Sequence, residues 1–138
     1  VLLRDGALGV EAWLLTRVAR MAFAAGMTVF PGGRVEPGDV NLPWAGAPPA
    51  EPALVGAAVR ETFEETGVLL GVPRLELRAE RADVEAGRSP FGALLRSYGA
   101  AIDASGLLPW ARWITPEMEV RRYDTRFFVA ALPAGAEP

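Results

Sequence analysis

Short apolar runs alternate with breaks marked by Gly and Pro along the chain. Residues 1–4 and 10–17 are apolar runs on either side of Asp5-Gly6-Ala7-Leu8-Gly9, which predicts a β-hairpin with a somewhat long loop. Residues 27–30 predict a third strand, ending abruptly at Pro31-Gly32-Gly33. Paired glycines at such a point admit backbone conformations closed to other residues and let the chain approach a ligand closely. Residues 41–52 are rich in Pro, Ala and Gly, include Trp44 and show no periodicity. They are expected to form an inserted surface loop that leaves the core and crosses no strand, or else a lid or substrate wall. From Pro52 to Thr66 the pattern becomes helical: Val55, Val59, Thr62, Phe63 and Thr66 fall on one side, Pro52 suits the first turn, and Gly67 is a natural stop. Residues 68–70 predict a strand, 79–86 and 90–102 helices, and 107–114 and 125–132 two further strands. Strands with interspersed helices imply an α/β layered domain.

A length of 138 residues suits one domain with one core, and 51% hydrophobic with 22% charged residues is the balance of a soluble globular protein. No apolar run approaches the roughly 20 residues of a membrane helix. The net charge of -3 provides no basic footprint for a nucleic-acid backbone, Arg121 and Arg122 being a local exception. No membrane or nucleic-acid partner is therefore expected. The chain begins at Val1 in a strand-like run, without Met or a signal peptide, and stops at Pro138 just after another. A longer native chain, located in the cytoplasm, is the expectation. There are no cysteines and no histidines, which removes disulfides, thiol chemistry, Cys/His zinc sites and every His-based triad. Catalysis would have to rest on carboxylates, Arg, hydroxyls, backbone groups or a bound cofactor, and a hard cation such as Mg²⁺ suits such oxygen donors.

The densest chemistry lies in Arg60-Glu61-Thr62-Phe63-Glu64-Glu65-Thr66-Gly67. At about 100° per residue, Glu61, Glu64 and Glu65 share a sector of roughly 100° opposite the apolar stripe. Glu61 and Glu65 are like charges four residues apart, unfavourable by a few tenths of a kcal/mol, and Arg60 can reach Glu64 in the weaker orientation. Such a face is either simply solvated or holds a divalent cation, which would turn the repulsion into binding.

These residues resemble the Nudix hydrolase signature, G-x5-E-x7-R-E-U-x-E-E-x-G-U with U aliphatic. Arg60, Glu61, Glu64, Glu65, Gly67 and Val68 match its second half, with Thr62 where an aliphatic residue is expected. Gly33 and then Asp39, in place of the usual Glu, match the first half; the long stretch from 41 to 59 makes this an interrupted box. Phe30-Pro31-Gly32-Gly33 is the family's usual lead-in. The resemblance implies a Nudix-type α/β/α sandwich with a mixed β-sheet, extending from the first hairpin to the last strand. The interrupted box, residues 26–33 (GMTVFPGG) and residues 121–133 (RRYDTRFFVAALP) further resemble the coenzyme A diphosphatase branch. The upstream signature of that branch is kept at Leu14, Leu15, Thr16, Gly26 and Phe30 onward, but Ala22 replaces its second arginine, Arg20 being the nearest candidate.

The resemblance implies a metal-dependent hydrolase that cleaves the diphosphate of a nucleoside diphosphate derivative, foremost coenzyme A or its thioesters, releasing 3',5'-ADP and 4'-phosphopantetheine. ADP-ribose, NADH and nucleotide sugars are rival substrates, and a non-catalytic ligand sensor is the reading from another class. One to three Mg²⁺ or Mn²⁺ ions would be held by Glu64 and Glu65 first, with the Gly33 carbonyl. Glu61 would complete the metal shell or accept a proton from the attacking water, and Arg60 would orient the carboxylates. Glu117 and Glu119 are alternative bases by position. Arg122, Asp124 and Arg126 either pair with strand neighbours or meet a substrate phosphate. Arg17 and Arg20 are phosphate ligands or solvated charges, and Trp110 and Trp113 are expected to pack in the core or on the sheet rather than stack on a base. A homodimer is a further possibility.

Overall fold

The computed structural model describes residues 1–16, 27–73 and 75–136. Strands β1 (Leu2–Gly6) and β2 (Gly9–Ala12) form an antiparallel hairpin, with Leu3 opposite Ala12 and Gly6 opposite Gly9. Its turn is only Ala7-Leu8, tighter than the loop expected over residues 5–9, and Gly9 closes it at φ 125°. The apolar run 10–17 does not continue as one strand. After Trp13 packs onto the core, β3 (Leu15–Thr16) departs to pair antiparallel with β4 (Thr28–Val29) in a separate two-stranded ribbon.

Among the described residues the main sheet has four strands in the order β2-β1-β6-β5, with β5 spanning Leu108–Ile114 and β6 spanning Asp124–Ala131. Strands β1 and β6 run parallel, Leu2 opposite Ala130, while β5 and β6 are antiparallel. The sheet is therefore mixed. The β5–β6 register shifts between Pro109 and Ala111. The edge ring contact of Phe30 with Phe127, centroids 6.4 Å apart, ties the end of β4 to β6 and so sets where the Pro-Gly-Gly turn begins.

Helix α1 (Pro52–Thr66) has the expected bounds and the expected stripe: Val55, Val59, Thr62, Phe63 and Thr66 are all buried. Pro52 stands in its first turn, and Gly67 ends it in the left-handed region at φ 78°, its N–H donating to Phe63 O at 2.8 Å. Phe63, fully buried, meets Phe91 at 5.5 Å between centroids. Removing such a ring from water is worth on the order of 2–3 kcal/mol. Helices α2 (Arg81–Glu85) and α3 (Phe91–Ser97) are shorter than the periodicity suggests. Gly99, at φ 62°, stops the second apolar run well before Ile102. Leu2, Val55, Val59, Phe63, Leu95, Ile102, Phe128 and Ala130 belong to one contiguous cluster that joins sheet and helices. Among the described residues, no helix is long and apolar enough to cross a membrane.

Three expectations need correction. Residues 68–70 are buried but form no strand ladder, because they run into the core after α1 and turn at Leu70-Gly71. The inserted stretch does not simply leave the core. Leu42 is only 5% exposed, Trp44 bridges to Ile102, and two backbone bonds of 2.8 Å, Ala45 N to Ile102 O and Ile102 N to Pro43 O, fasten it there. Residues 46–48 and 50, by contrast, are exposed. Trp110 and Trp113 are 61% and 73% exposed, since β5 ends the sheet among the described strands and no described layer covers it.

Candidate metal and diphosphate site

Arg60 is the hub of the carboxylate cluster. It lies on the last half of α1 with only 5% exposure, and each of its donors has an acceptor. Nε donates to Asp39 Oδ1 at 2.8 Å, and Nη2 to Asp39 Oδ2 at 3.2 Å and the Arg34 carbonyl at 2.7 Å. Nη1 donates to Glu61 Oε1 at 3.0 Å and to Glu64 Oε2 at 3.1 Å. Asp39, 1% exposed, opens a 3-10 turn (Asp39–Asn41) and also accepts the Glu36 N–H at 2.7 Å. The two halves of the interrupted box thus meet through one buried ion pair. Gly56 makes the approach possible: a Cβ there would lie 2.3 Å from the Asp39 carbonyl oxygen.

The Pro-Gly-Gly turn comes down on the same face. Gly32 N donates to Glu65 Oε2 at 2.8 Å, and a Cβ on Gly33 would fall 2.3 Å from Glu61 Oε1. A larger residue at that position would require the Glu61 carboxylate to shift. This cover explains why the glutamates are not the open face that helical geometry alone suggested. The Glu61 and Glu64 side chains are 16% and 17% exposed. Burial raises the pKa of Glu64; Arg60 opposes the shift by charge and hydrogen bond, and Glu61 and Glu36 reinforce it. Burial alone would lower the Arg60 pKa, but the hydrogen bond and charge of Asp39, with Glu61 and Glu64, raise it. Arg60 is therefore a permanent cation here.

Among the described residues, no three carboxylates converge on one point. The donor chemistry nonetheless fits Mg²⁺ or Mn²⁺. Such ions accept hard oxygens, need only one or two protein carboxylates, and fill their other positions with water and substrate oxygens. Glu61, Glu64 and Glu65 with the Gly33 backbone are the oxygen donors that would supply that set.

The other candidates stand elsewhere. Arg126 pairs with Asp124 at 3.2 Å and Glu51 at 3.8 Å, and Glu51 precedes the first turn of α1. At 1.5 Å rise per residue, that end lies about 15 Å from Glu61. Arg122 donates to the Thr115 carbonyl at 3.2 Å, between the ends of β5 and β6. Glu117 and Glu119 occupy the exposed connection between those strands, where Glu119 N bonds Pro116 O, and no described ion pair links them to α1. Arg17 and Arg20 lie outside the described residues. A cleft of about 740 Å³ opens beyond Gly67, between the segment after α1 and residues 133–136, and none of the box carboxylates lines it. Sequence reasoning missed Arg81, whose guanidinium reaches the carbonyls of Glu64 and Glu65. Nothing local signals a contact across 16 and 17 residues.

The family model described as the NUDT19 Nudix domain matches residues 46–137. The chain belongs to the Nudix hydrolase family. This Nudix chain is 31% identical over 108 residues to an acyl-coenzyme A diphosphatase NUDT19 of Xenopus laevis, covering 62% of this chain and 28% of that protein. The corresponding protein of Gallus gallus is 33% identical over 109 residues, 61% of this chain and 29% of that one. A putative nudix hydrolase 7 of Caenorhabditis elegans is 31% identical over 123 residues, 84% of this chain and 38% of the other. The chain thus spans well under half the length of these curated relatives. The crystal structure of a NUDIX hydrolase from Alicyclobacillus acidocaldarius superposes with a TM-score of 0.83 at 34% identity, over 94% of this chain and 66% of that one. The α/β Nudix fold expected from the box is therefore the fold of this chain.

Proposed function

We propose that this Nudix domain is a divalent-metal-dependent diphosphatase acting on coenzyme A or its thioesters, with 3',5'-ADP and 4'-phosphopantetheine (or its acyl form) as products. The observation that carries the reading is that Arg60 holds Glu61 and Glu64 while the Pro-Gly-Gly turn comes down on the same helix face, Gly32 N–H donating to Glu65. The names of two relatives, acyl-coenzyme A diphosphatases, support the choice of substrate.

Glu64 and Glu65 would hold Mg²⁺ or Mn²⁺ with the Gly33 carbonyl, and Glu61 would join them or take the proton of the attacking water. When bound, the ion neutralises charge on the diphosphate oxygens and makes water a better nucleophile near neutral pH. Water adds to one phosphorus, the bridging P–O bond breaks, and the leaving phosphate oxygen carries away the electron pair. Arg60 keeps Glu61 and Glu64 from rotating into solvent, because each is tied to a guanidinium that Asp39 holds in place. With no histidine in the chain, the carboxylates of the site are the side chains that could take the proton. Arg20, Arg122 and Arg126 are the candidates for the substrate's remaining phosphate, for which a planar guanidinium is well suited.

The test is a panel of coenzyme A, dephospho-coenzyme A, ADP-ribose and NADH with Mg²⁺ or Mn²⁺, the products identified by mass. Coenzyme A should be cleaved best, and Glu64→Gln or Glu65→Gln should lower kcat by orders of magnitude without loss of fold. Undiminished turnover in excess chelator would sink the metal assignment. Equal specificity constants for coenzyme A and dephospho-coenzyme A, with ADP-ribose as good or better, would move the protein to general nucleoside-diphosphate substrates.

A further inference from the structure

Four carbonyls at the C-terminal end of an α-helix lack intrahelical donors. In α1 they belong to Phe63, Glu64, Glu65 and Thr66. Gly67 N–H serves Phe63. One side chain serves the next two: Arg81, the first residue of α2, donates from Nε to Glu64 O at 2.7 Å and from Nη2 to Glu65 O at 2.8 Å. Around the same turn, the Thr66 hydroxyl donates to Thr62 O at 2.7 Å and accepts from Val68 N at 3.0 Å. The stem of Arg81 passes over Gly67, where an added Cβ would lie 3.7 Å from its Cδ.

We propose that Arg81 is a positioning residue for the carboxylate site: its two-pronged grip on the backbone of Glu64 and Glu65 sets the direction from which both carboxylates meet a divalent cation. The inference rests on the metal reading given above. Two features separate this contact from an ordinary helix cap. It holds the peptide units of two adjacent proposed ligands, so a small twist of the last turn would move both carboxylates together. It also places a positive charge at the negative end of the helix dipole, where three glutamates are least welcome. Arg60 restrains Glu61 and Glu64 through their side chains, and Arg81 restrains Glu64 and Glu65 through their backbone. A lysine cannot reproduce a planar fork across two carbonyls, since its ammonium is a single point donor.

The experiment compares the full chain with Arg81→Met and Arg81→Lys. Mn²⁺ affinity is measured without substrate, from the paramagnetic resonance signal of free Mn²⁺, beside melting temperature, kcat and KM. Loss of a group that orients metal ligands typically weakens affinity about 10–100-fold, and Arg81→Met should do so while still folding. The drop in activity should appear in kcat at saturating Mn²⁺, with KM for the diphosphate changed less than twofold. Arg81→Lys should restore melting temperature more fully than Mn²⁺ affinity. If Arg81→Met does not fold, Arg81→Lys alone decides, and an affinity equal to the wild type overturns the proposal. Wild-type binding that Glu65→Gln abolishes but Arg81→Met leaves unchanged overturns the role of Arg81 while sparing the metal site. A wild-type chain that binds no Mn²⁺ overturns both.

Discussion

Asp39 and Asp124 allow burial to be set against geometry. Each carboxylate receives two hydrogen bonds from one arginine. Asp39 accepts from Arg60 at 2.8 and 3.2 Å, and Asp124 from Arg112 at 2.7 and 2.6 Å. The second pair is shorter, but its side chains are 51% and 49% exposed, against 7% and 1% for the first. If bond length governed stability, Asp124→Ala would be the more harmful change. If burial governs, Asp39→Ala is, because it leaves the Arg60 guanidinium buried with one carboxylate fewer. Breaking a buried pair costs about 3–5 kcal/mol. Arg60 keeps Glu61, Glu64 and the Arg34 carbonyl, so the lower end, about 3 kcal/mol, applies. For a chain of this size that corresponds to roughly 10 °C in Tm. Asp124→Ala should shift Tm far less, as water replaces the lost partner of Arg112. Thermal and urea unfolding of the three proteins at pH 7 provides the comparison. Equal shifts, or a larger one for Asp124→Ala, would refute the argument that the buried pair joins the two halves of the box.

Three further outcomes are expected. Gly56→Ala should destabilise the protein despite the roughly 1 kcal/mol that alanine gains in a helix, because its Cβ would lie 2.3 Å from the Asp39 backbone oxygen; a raised Tm would show that the turn can yield. Deleting residues 46–50 should leave Tm nearly unchanged, since loop closure depends weakly on length, whereas Leu42→Ala should cost about 2–5 kcal/mol in urea unfolding; the opposite order would mean that the insertion is held by its tip. The Asp124 carboxyl titrates below its ordinary value, chiefly through its hydrogen bond with Arg112, with burial opposing and the charges of Arg112 and Arg126 adding. A depressed folded-state pKa means that its contribution is present above the usual carboxylate range and lost as pH falls through the lowered value. Arg112→Met should raise the midpoint seen by carboxyl carbon NMR, and an unmoved midpoint would contradict that cause.

Helix α1 was legible in the sequence because everything that defines it is local. A proline at one end, a glycine at the other and a 3.6-residue apolar stripe between them need no distant partner. Helical geometry likewise brings Glu61, Glu64 and Glu65 to one face, and with Arg60 and the Pro-Gly-Gly turn they identified the family from sequence alone. What periodicity cannot convey is which segments later cover which faces. Leu42 and Trp44 sit in a stretch without any period, yet Leu42 is buried and Trp44 bridges to Ile102, and residues 68–70 look like a strand but are buried without ladder bonds. Trp110 and Trp113 have the composition of a packed strand and are exposed, because packing depends on a second layer and not on the strand itself. The same holds at the site. Residues 21 apart in sequence form the Asp39–Arg60 pair, and Arg81 reaches back 16 and 17 residues to two carbonyls. Contacts of that range arise only once loop-closure entropy is offset by burial elsewhere. The sequence alone determined which groups could do the chemistry; tertiary structure alone decided how they are shielded and restrained.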